Sequence, residues 1–499
     1  MNAPMLAQRN LVKRTDRRSF FESVGRGLYG TALAYLFSRD LFGGSGLLDQ
    51  NAGNLAATAR RVYDLSPKTP HIEPKAKAVI HLFMNGGPSQ MDLLDPKEEL
   101  DKNHGKSYFQ KIAGEVESPS SAGALMRSPF KFKQHGRSGM WVSELMPHLA
   151  KHVDDIALIR SMYTTILTHE PAIYKIQSGR MLPGYGCLGS WAVYGLGTEN
   201  QSLPAYVVLD DPISLPVNGV ENWQSGFLPP VYQGIRFRST GSPVLNLKPE
   251  VEEPGEIVKL ERDLLARLDR IHLQKRSGNP ALEARISTYE LAARMQLAAS
   301  DALDFSQEKP ETLEMYGLND KKTESYGRRC LIARRLVERG VRFVQLYING
   351  QIWDNHGNIA SDLRSACDRT DKPIAGLLQD LKQRGLLGDT LVVWGGEFGR
   401  LPIAQLPGDK DVSKAGRDHN KNAMVTWMAG AGIKPGVVYG STDEIGLAAA
   451  EDKVTVQDWH ATILHLLGLN HEQLFFDRHG LKEKLTSVFE TQIIKGILA

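Results

Sequence analysis

The sequence predicts an α/β protein with a mostly parallel central sheet, and three observations predict it. Short β-branched and aromatic runs recur at Ala78–Met84, Ile156–Met162, Ala205–Asp210, Val341–Ile348, Thr390–Trp394 and Ala423–Ala429, the composition of buried strands. Between the fourth and fifth of these lies a stretch reaching about Arg384, with Ile374, Leu377, Leu378 and Leu381 on one helical face and Gly385 and Gly388 as a stop, so Val341–Arg400 is a βαβ unit. Polar residues follow each of its strands, Trp353-Asp354-Asn355-His356-Gly357 and then Gly395-Gly396-Glu397-Phe398-Gly399-Arg400. Ligands of open parallel sheets bind at the carboxyl ends of strands.

The chain of 499 residues, 41% hydrophobic, is long enough for one large α/β domain carrying insertions. A net charge of +3 with 23% charged residues gives no support for a nucleic-acid partner. Cys187, Cys330 and Cys367 have neither the spacing of a metal pair nor the number of a disulfide scaffold.

Taken in order, residues 1–40 read as a targeting segment. Arg17-Arg18-Ser19-Phe20-Phe21 precedes the weakly apolar run Gly27–Phe37, the form of a twin-arginine export signal, with an amphipathic N-terminal helix as the alternative. That run is too short for a stable membrane span. Residues 41–74 are expected to be a linker, with Asn54–Ala59 the best cleavage candidate, and residues 75–499 the folded domain. The first strand, Ala78–Met84, leads into Asn85-Gly86-Gly87-Pro88-Ser89-Gln90-Met91-Asp92, where a Gly-Gly-Pro turn brings backbone close to whatever binds. Asp92 is either a ligand or a helix cap. Residues 100–150 and 210–320 are insertions in this reading.

After Ile156–Met162 comes Thr168-His169-Glu170-Pro171, expected to enter a helix whose first turn begins near Pro171 and which ends at Gly179. His169 then sits at a helix N-terminus, where free N–H groups favour an anion. The strand Ala205–Asp210 leads into a Pro- and Gly-rich segment reaching Pro230, a candidate lid or pocket wall. Two charged amphipathic helices, Ile257–Leu273 and Leu282–Leu297, are expected to serve packing or homo-oligomer contact. Near the end, Val456–Leu467 is a helix with Asp458 as its cap and Gly468 as its stop.

The polar groups past the strands form a set: Asp354, His356, Glu397, Asp418 and His419, with Asp92 and His460 as further members. Each alone is a solvated loop residue or a cap; their repetition after successive strands points to a metal site. Mixed carboxylate and imidazole ligands suit Zn, Mn, Fe or Ca, not a thiolate-rich structural zinc.

The order Gly-Gly-Pro-Ser-x-x-Asp, Trp-Asp-x-His-Gly, Gly-Gly-Glu-Phe-Gly-Arg and Gly-Arg-Asp-His-Asn resembles the domain-of-unknown-function 1501 family, from about Lys75 to the C-terminus. The family consists of exported bacterial proteins with an alkaline-phosphatase-like core related to sulfatases. The resemblance implies a three-layer α/β/α sandwich and a divalent metal, Zn, Ca or Mn. By the superfamily's pattern Asp354 and His356 resemble the middle Asp-His pair and His419 the late His, with Asp418 beside it. Glu397 falls where the next acid is expected, and Phe398 replaces that acid's His. Asn85 stands where the first acid is expected, unless Asp92 substitutes. His169-x-Pro171 through Ser178-Gly179-Arg180 is similar to the sulfatase nucleophile segment, with His169 at the nucleophile position, where no formylglycine can form.

These implications give one metal through Asp354, His356 and His419, and a second, weaker site through Glu397 and Asp92. His169 would attack or transfer a proton, and Arg400 and Arg180 would hold an anionic ester. The expected function is an exported hydrolase of a phosphate or sulfate ester, small-molecule or polysaccharide. The alternatives are a non-catalytic cell-surface binding or assembly protein and a phosphomutase-like transferase.

Overall fold

The computed structural model describes residues 64–244, 254–276 and 279–499. The expected export segment and its cleavage candidate lie outside these residues. Eight strands form the central sheet: β1 (Ala78–Phe83), β2 (Ile156–Met162), β3 (Tyr206–Leu209), β4 (Ile235–Arg236), β5 (Phe343–Leu346), β6 (Thr390–Gly395), β7 (Met424–Ala429) and β8 (Val437–Tyr439). Their order across the sheet is β8-β2-β7-β6-β1-β5-β3-β4. β1 pairs in parallel with both β5 and β6, in register Leu82 with Leu346 and with Trp394. β7 pairs antiparallel with β2 and with β6. It is the reversed member of an otherwise parallel sheet, so the expected mostly parallel α/β architecture holds.

The longer helices are α1 (His169–Ser178), α2 (Leu188–Leu196), α3 (Gly255–Gln274), α4 (Pro280–Leu303), α5 (Glu324–Glu338), α6 (Ile359–Gln383) and α7 (Val456–Leu466). Strand alternation sorts them into two outer layers. Ile80, Leu82 and Met84 join a core with Cys330 and Leu331 of α5 and Leu377 and Leu381 of α6. Val79 and Phe83 point the other way, onto Ile173 of α1, Trp191 of α2 and Ile463 of α7. A third, smaller cluster of Met91, Leu100, Ile112, Leu125, Leu401 and Ile403 seats the 100–125 segment against the chain that follows Arg400.

Three local expectations change. α1 begins at His169, two residues before Pro171, because proline is compatible with the first helical turn. Thr455 caps α7 and Asp458 closes a capping box three residues on. Of the stretch read as linker, residues 68–72 bond to the body: Lys68 N–H donates to Leu196 O at 2.9 Å and His71 N–H to Gly468 O at 2.9 Å. No described helix is long and apolar enough to cross a membrane.

Candidate metal centre

Strand direction explains why distant motifs meet. β6, β1 and β5 are neighbours and parallel, so the segments after them, Gly396–Arg400, Met84–Pro88 and Tyr347–His356, emerge at one edge. β2 runs the same way and delivers the chain to α1 and His169 at that edge. β7 is reversed, so the residues that precede it, Arg417–Asn420, enter there too. Gly86 makes the junction tight: its φ is +116°, and a Cβ would lie 2.6 Å from Asp354 N.

Asp354 is the hub. Its carboxylate is approached by three imidazoles through Nε2: His356 at 2.9 Å, His419 at 3.2 Å and His169 at 3.3 Å. Each ring turns Nδ1 outward to another oxygen. His169 Nδ1 is 2.7 Å from Glu397 Oε1, His419 Nδ1 is 2.5 Å from Glu117 Oε2, and His356 Nδ1 bonds Gln405 Oε1. One ligand atom from each of His169, Asp354, His356 and His419 lies within 4.8 Å of the others. His169 Nε2 and His419 Nδ1 are buried and have no hydrogen-bond partner despite these contacts; neither contact has hydrogen-bond geometry. Inward nitrogens sharing one carboxylate, with the far nitrogens facing outer oxygens, is the arrangement that orients imidazoles on a metal. The four residues therefore fit a divalent cation.

The charges support that fit. Burial favours a neutral ring at His169, but Asp354 and Glu397 outweigh it and raise the pKa to about 9. Burial likewise opposes the charged ring at His356, and Asp354 overcomes it, raising the pKa. At His419 burial prevails, helped by Arg400 and His169, and the pKa falls. Burial would raise Asp354; the three rings and Arg400 hold it far below the usual carboxylate range. Phe398 stands where a His was expected and packs its ring 4.4 Å from that of His419 and 4.9 Å from that of His169, walling one side. The His356 side chain is 36% exposed while that of His419 is 4% exposed, so the cluster opens to solvent past His356.

Several residues take places other than those expected. Glu397 is fully buried and accepts Gly86 N–H at 2.9 and 3.1 Å beside His169; it stands behind His169 and outside the four-residue group. Asp92 is also fully buried and grips Arg417, at 2.6 Å to Nε and 3.2 Å to Nη2, so its charge is paired with a buried guanidinium and it lies outside the four-residue group. Arg400 is 1% exposed and spends its guanidinium on Gly86 O, Gly87 O, Arg417 O, Trp353 O and Asp354 Oδ1. Arg400 thus ties Asp354 to the Gly-Gly-Pro turn from inside the protein. Arg180 follows the far end of the ten-residue α1, about 15 Å from His169 at 1.5 Å per residue, and faces Glu483 at 3.4 Å and the Tyr185 ring at 5.1 Å.

Asp418 is not in the four-residue group. It forms a second set with Glu117 and His419, again within 4.8 Å, and accepts the N–H groups of Ser118 and His419, both at 2.9 Å. His460 lies between sheet and helix with Nε2 2.8 Å from Ile176 O, away from these ligands. Asn85 bonds Gly350 O and so staples the loop after β5. Glu117 and Gln405 were not singled out from sequence. Glu117 sits in a segment without periodicity, and a neutral amide such as Gln405 carries no ligand signal. The segment after β3 borders the site: Asn218 donates to Glu170 O and Ser214 Oγ accepts Gly350 N–H, each at 2.9 Å.

None of the curated proteins matches the chain. A magnesium-bound mutant alkaline phosphatase from the Antarctic bacterium TAB5 aligns at 14% identity and a TM-score of 0.34, over 81% of this chain and 100% of that one. The lipoteichoic acid synthase LtaP from Listeria monocytogenes aligns at 11% identity and 0.32, over 84% and 78%. The PsFucS1 sulfatase from Pseudoalteromonas sp. aligns at 11% and 0.33, over 86% and 73%. Likenesses this distant carry no argument about reaction, metal or substrate. The model of the family described as protein of unknown function DUF1501 matches residues 76–498, most of the chain. The protein belongs to the DUF1501 family.

Proposed function

We propose that the protein is an exported metal-dependent hydrolase acting on a phosphate or sulfate ester. The observation that carries the proposal is the convergence of three imidazole Nε2 atoms on Asp354, each with Nδ1 turned to an outer oxygen. A set of three imidazoles and one carboxylate suits zinc or manganese better than calcium, which takes oxygen ligands. A divalent cation bound here supplies Lewis-acid polarisation of an ester oxygen and an acidified water.

The chain's own residues prepare that chemistry. Asp354 concentrates negative charge between the rings, and Arg400 fixes its position. Glu397 sets the His169 tautomer and ring angle. α1 begins at His169 and lacks a side-chain cap, so the positive end of its dipole lies beside the cluster and favours an anionic group there. With Nδ1 on Glu397 and Nε2 among the ligands, His169 is read as a ligand and not as the attacking group. Activity on an aryl phosphate and sulfate panel, restored by metal add-back and lost with bound metal in His356→Ala, is the expected result.

A second reading, a binding or assembly protein without turnover, is favoured by one observation. Arg400 is buried against backbone carbonyls and Asp354, and Arg180 stands at the far end of α1 facing Glu483. Stoichiometric metal with no turnover across the panel selects it. Export rests on Arg17-Arg18; replacing both with Lys and fractionating cells tests it, with retention in the cytoplasm expected.

A further inference from the structure

α3 runs for 20 residues, Gly255–Gln274, and none of them is buried. Its large apolar side chains face solvent: Leu260 is 63% exposed, Leu265 and Leu268 53%, Ile271 50% and Ile257 47%. With half-buried Leu264, all of these except Leu265, which lies to one side, form a single stripe. At 3.6 residues per turn, positions 257, 260, 264, 268 and 271 fall within an arc of about 80°. Ile257 to Leu268 and Leu260 to Ile271 are eleven-residue steps, a period that keeps such a stripe nearly straight along the helix. An exposed apolar stripe of this kind marks a contact surface.

The stripe has a further property: it is symmetric about Leu264. An antiparallel copy laid along it sets Ile257 on the partner's Ile271, Leu260 on the partner's Leu268, and Leu264 on itself. The flanking charges follow the same symmetry. Asp263 and Arg267 lie on one side of the stripe, both are exposed, and neither forms an ion pair among the described residues. A two-fold axis at Leu264 sets Asp263 against the partner's Arg267, and Arg267 against the partner's Asp263. A parallel pair would instead align like residues at every level. The polar remainder of the helix alternates Glu256, Glu261, Asp263 and Asp269 with Lys259, Arg262, Arg267 and Arg270. That balance is unlike the cationic face of a helix that lies on an anionic membrane.

We propose that α3 is a self-complementary dimerisation helix, pairing antiparallel with α3 of a second copy of this chain about a two-fold axis at Leu264. Such isologous pairing is the commonest form of homodimer. It puts the paired contact on the α3 stripe and leaves the metal cluster outside it.

The test uses the full chain. Sedimentation equilibrium at tens of micromolar is expected to give twice the 55.3 kDa chain mass. Leu264→Glu, which sets two carboxylates on the axis, is expected to give the single-chain mass with unchanged circular dichroism. Asp263→Lys is expected to weaken the dimer, and adding Arg267→Glu to restore it. Cross-linking fixes direction, because the three native cysteines are buried. Leu264→Cys is expected to link to itself on mild oxidation. Ile257→Cys is expected not to, since its copies lie about 21 Å apart in an antiparallel pair, beyond the roughly 7 Å disulfide reach. A monomer at 100 micromolar, a dimer that survives Leu264→Glu, self-linking at both positions, or a monomer that binds anionic phosphatidylserine vesicles would each overturn the proposal.

Discussion

Two regions of the molecule bury histidines on opposite terms. At the strand ends, His169 lies between Asp354 and Glu397, and its pKa rises to about 9. Between the sheet and its outer helices, His81 and His460 meet neutral partners. His81 Nδ1 is 3.2 Å from Gln345 Nε2, which also donates to Gln177 Oε1 at 2.8 Å, and His460 bonds a backbone carbonyl. Burial, with repulsion from His460 at His81 and from Lys175 at His460, drives both rings down to about 3. All three rings are withdrawn from water, and burial pushes each toward its neutral form; at His169 two carboxylates outweigh it, and a ring so held gives up its proton to a cation.

The sharpest way to break this comparison is to take away the hub. Asp354→Asn is expected to abolish metal retention, read by elemental analysis. It also strips the buried Arg400 of its carboxylate, which costs about 3–5 kcal/mol, read as a lower midpoint in urea. Asp92→Asn is expected to cost a similar 3–5 kcal/mol by orphaning Arg417 in a pair that is fully buried on both sides. Metal stoichiometry of the folded fraction should stay unchanged, and a loss of metal there would return Asp92 to the ligands. Glu397→Gln is expected to keep the ligand set and weaken metal affinity by about 10- to 100-fold, measured by competition with a chelator.

Proton linkage separates the two regions. His81 and His460 are neutral when folded and take up protons on unfolding. Their contribution to stability is therefore complete above the unfolded pKa near 6.5 and is lost as pH falls from there toward 3. His460→Gln is expected to flatten the acid limb of urea stability by up to about 1.4 kcal/mol per pH unit. His169 has the opposite sign in the metal-free protein: its contribution is complete below about 6.5 and is lost as pH rises through about 9. Metal uptake at pH 7 should therefore release a proton, seen by calorimetry in buffers of different ionisation enthalpy, and affinity should rise with pH.

Much of this could be read without coordinates. The apolar runs of β1, β2, β5, β6 and β7 were legible because a buried strand needs a continuous β-branched and aromatic segment. Asp354, His356 and His419 were legible because polar groups past strand ends have few structural duties. Arg400, Asp92 and Glu397 could not be told from ligands or anion holders in the sequence, for one reason. A charged residue in a polar loop looks alike whether it meets solvent, a metal or another buried charge, and here Arg417, Gly86 and Asp354 claim them.

By itself the sequence determined the α/β class, six of the eight strands of the sheet and the residue types able to bind a cation, because periodicity and side-chain chemistry are local properties. Tertiary structure decided which way β7 runs, which oxygen each imidazole faces and which charges cancel in the interior. Those depend on contacts between residues hundreds of positions apart, such as His169 with Glu397 and Asp92 with Arg417, which no local pattern encodes.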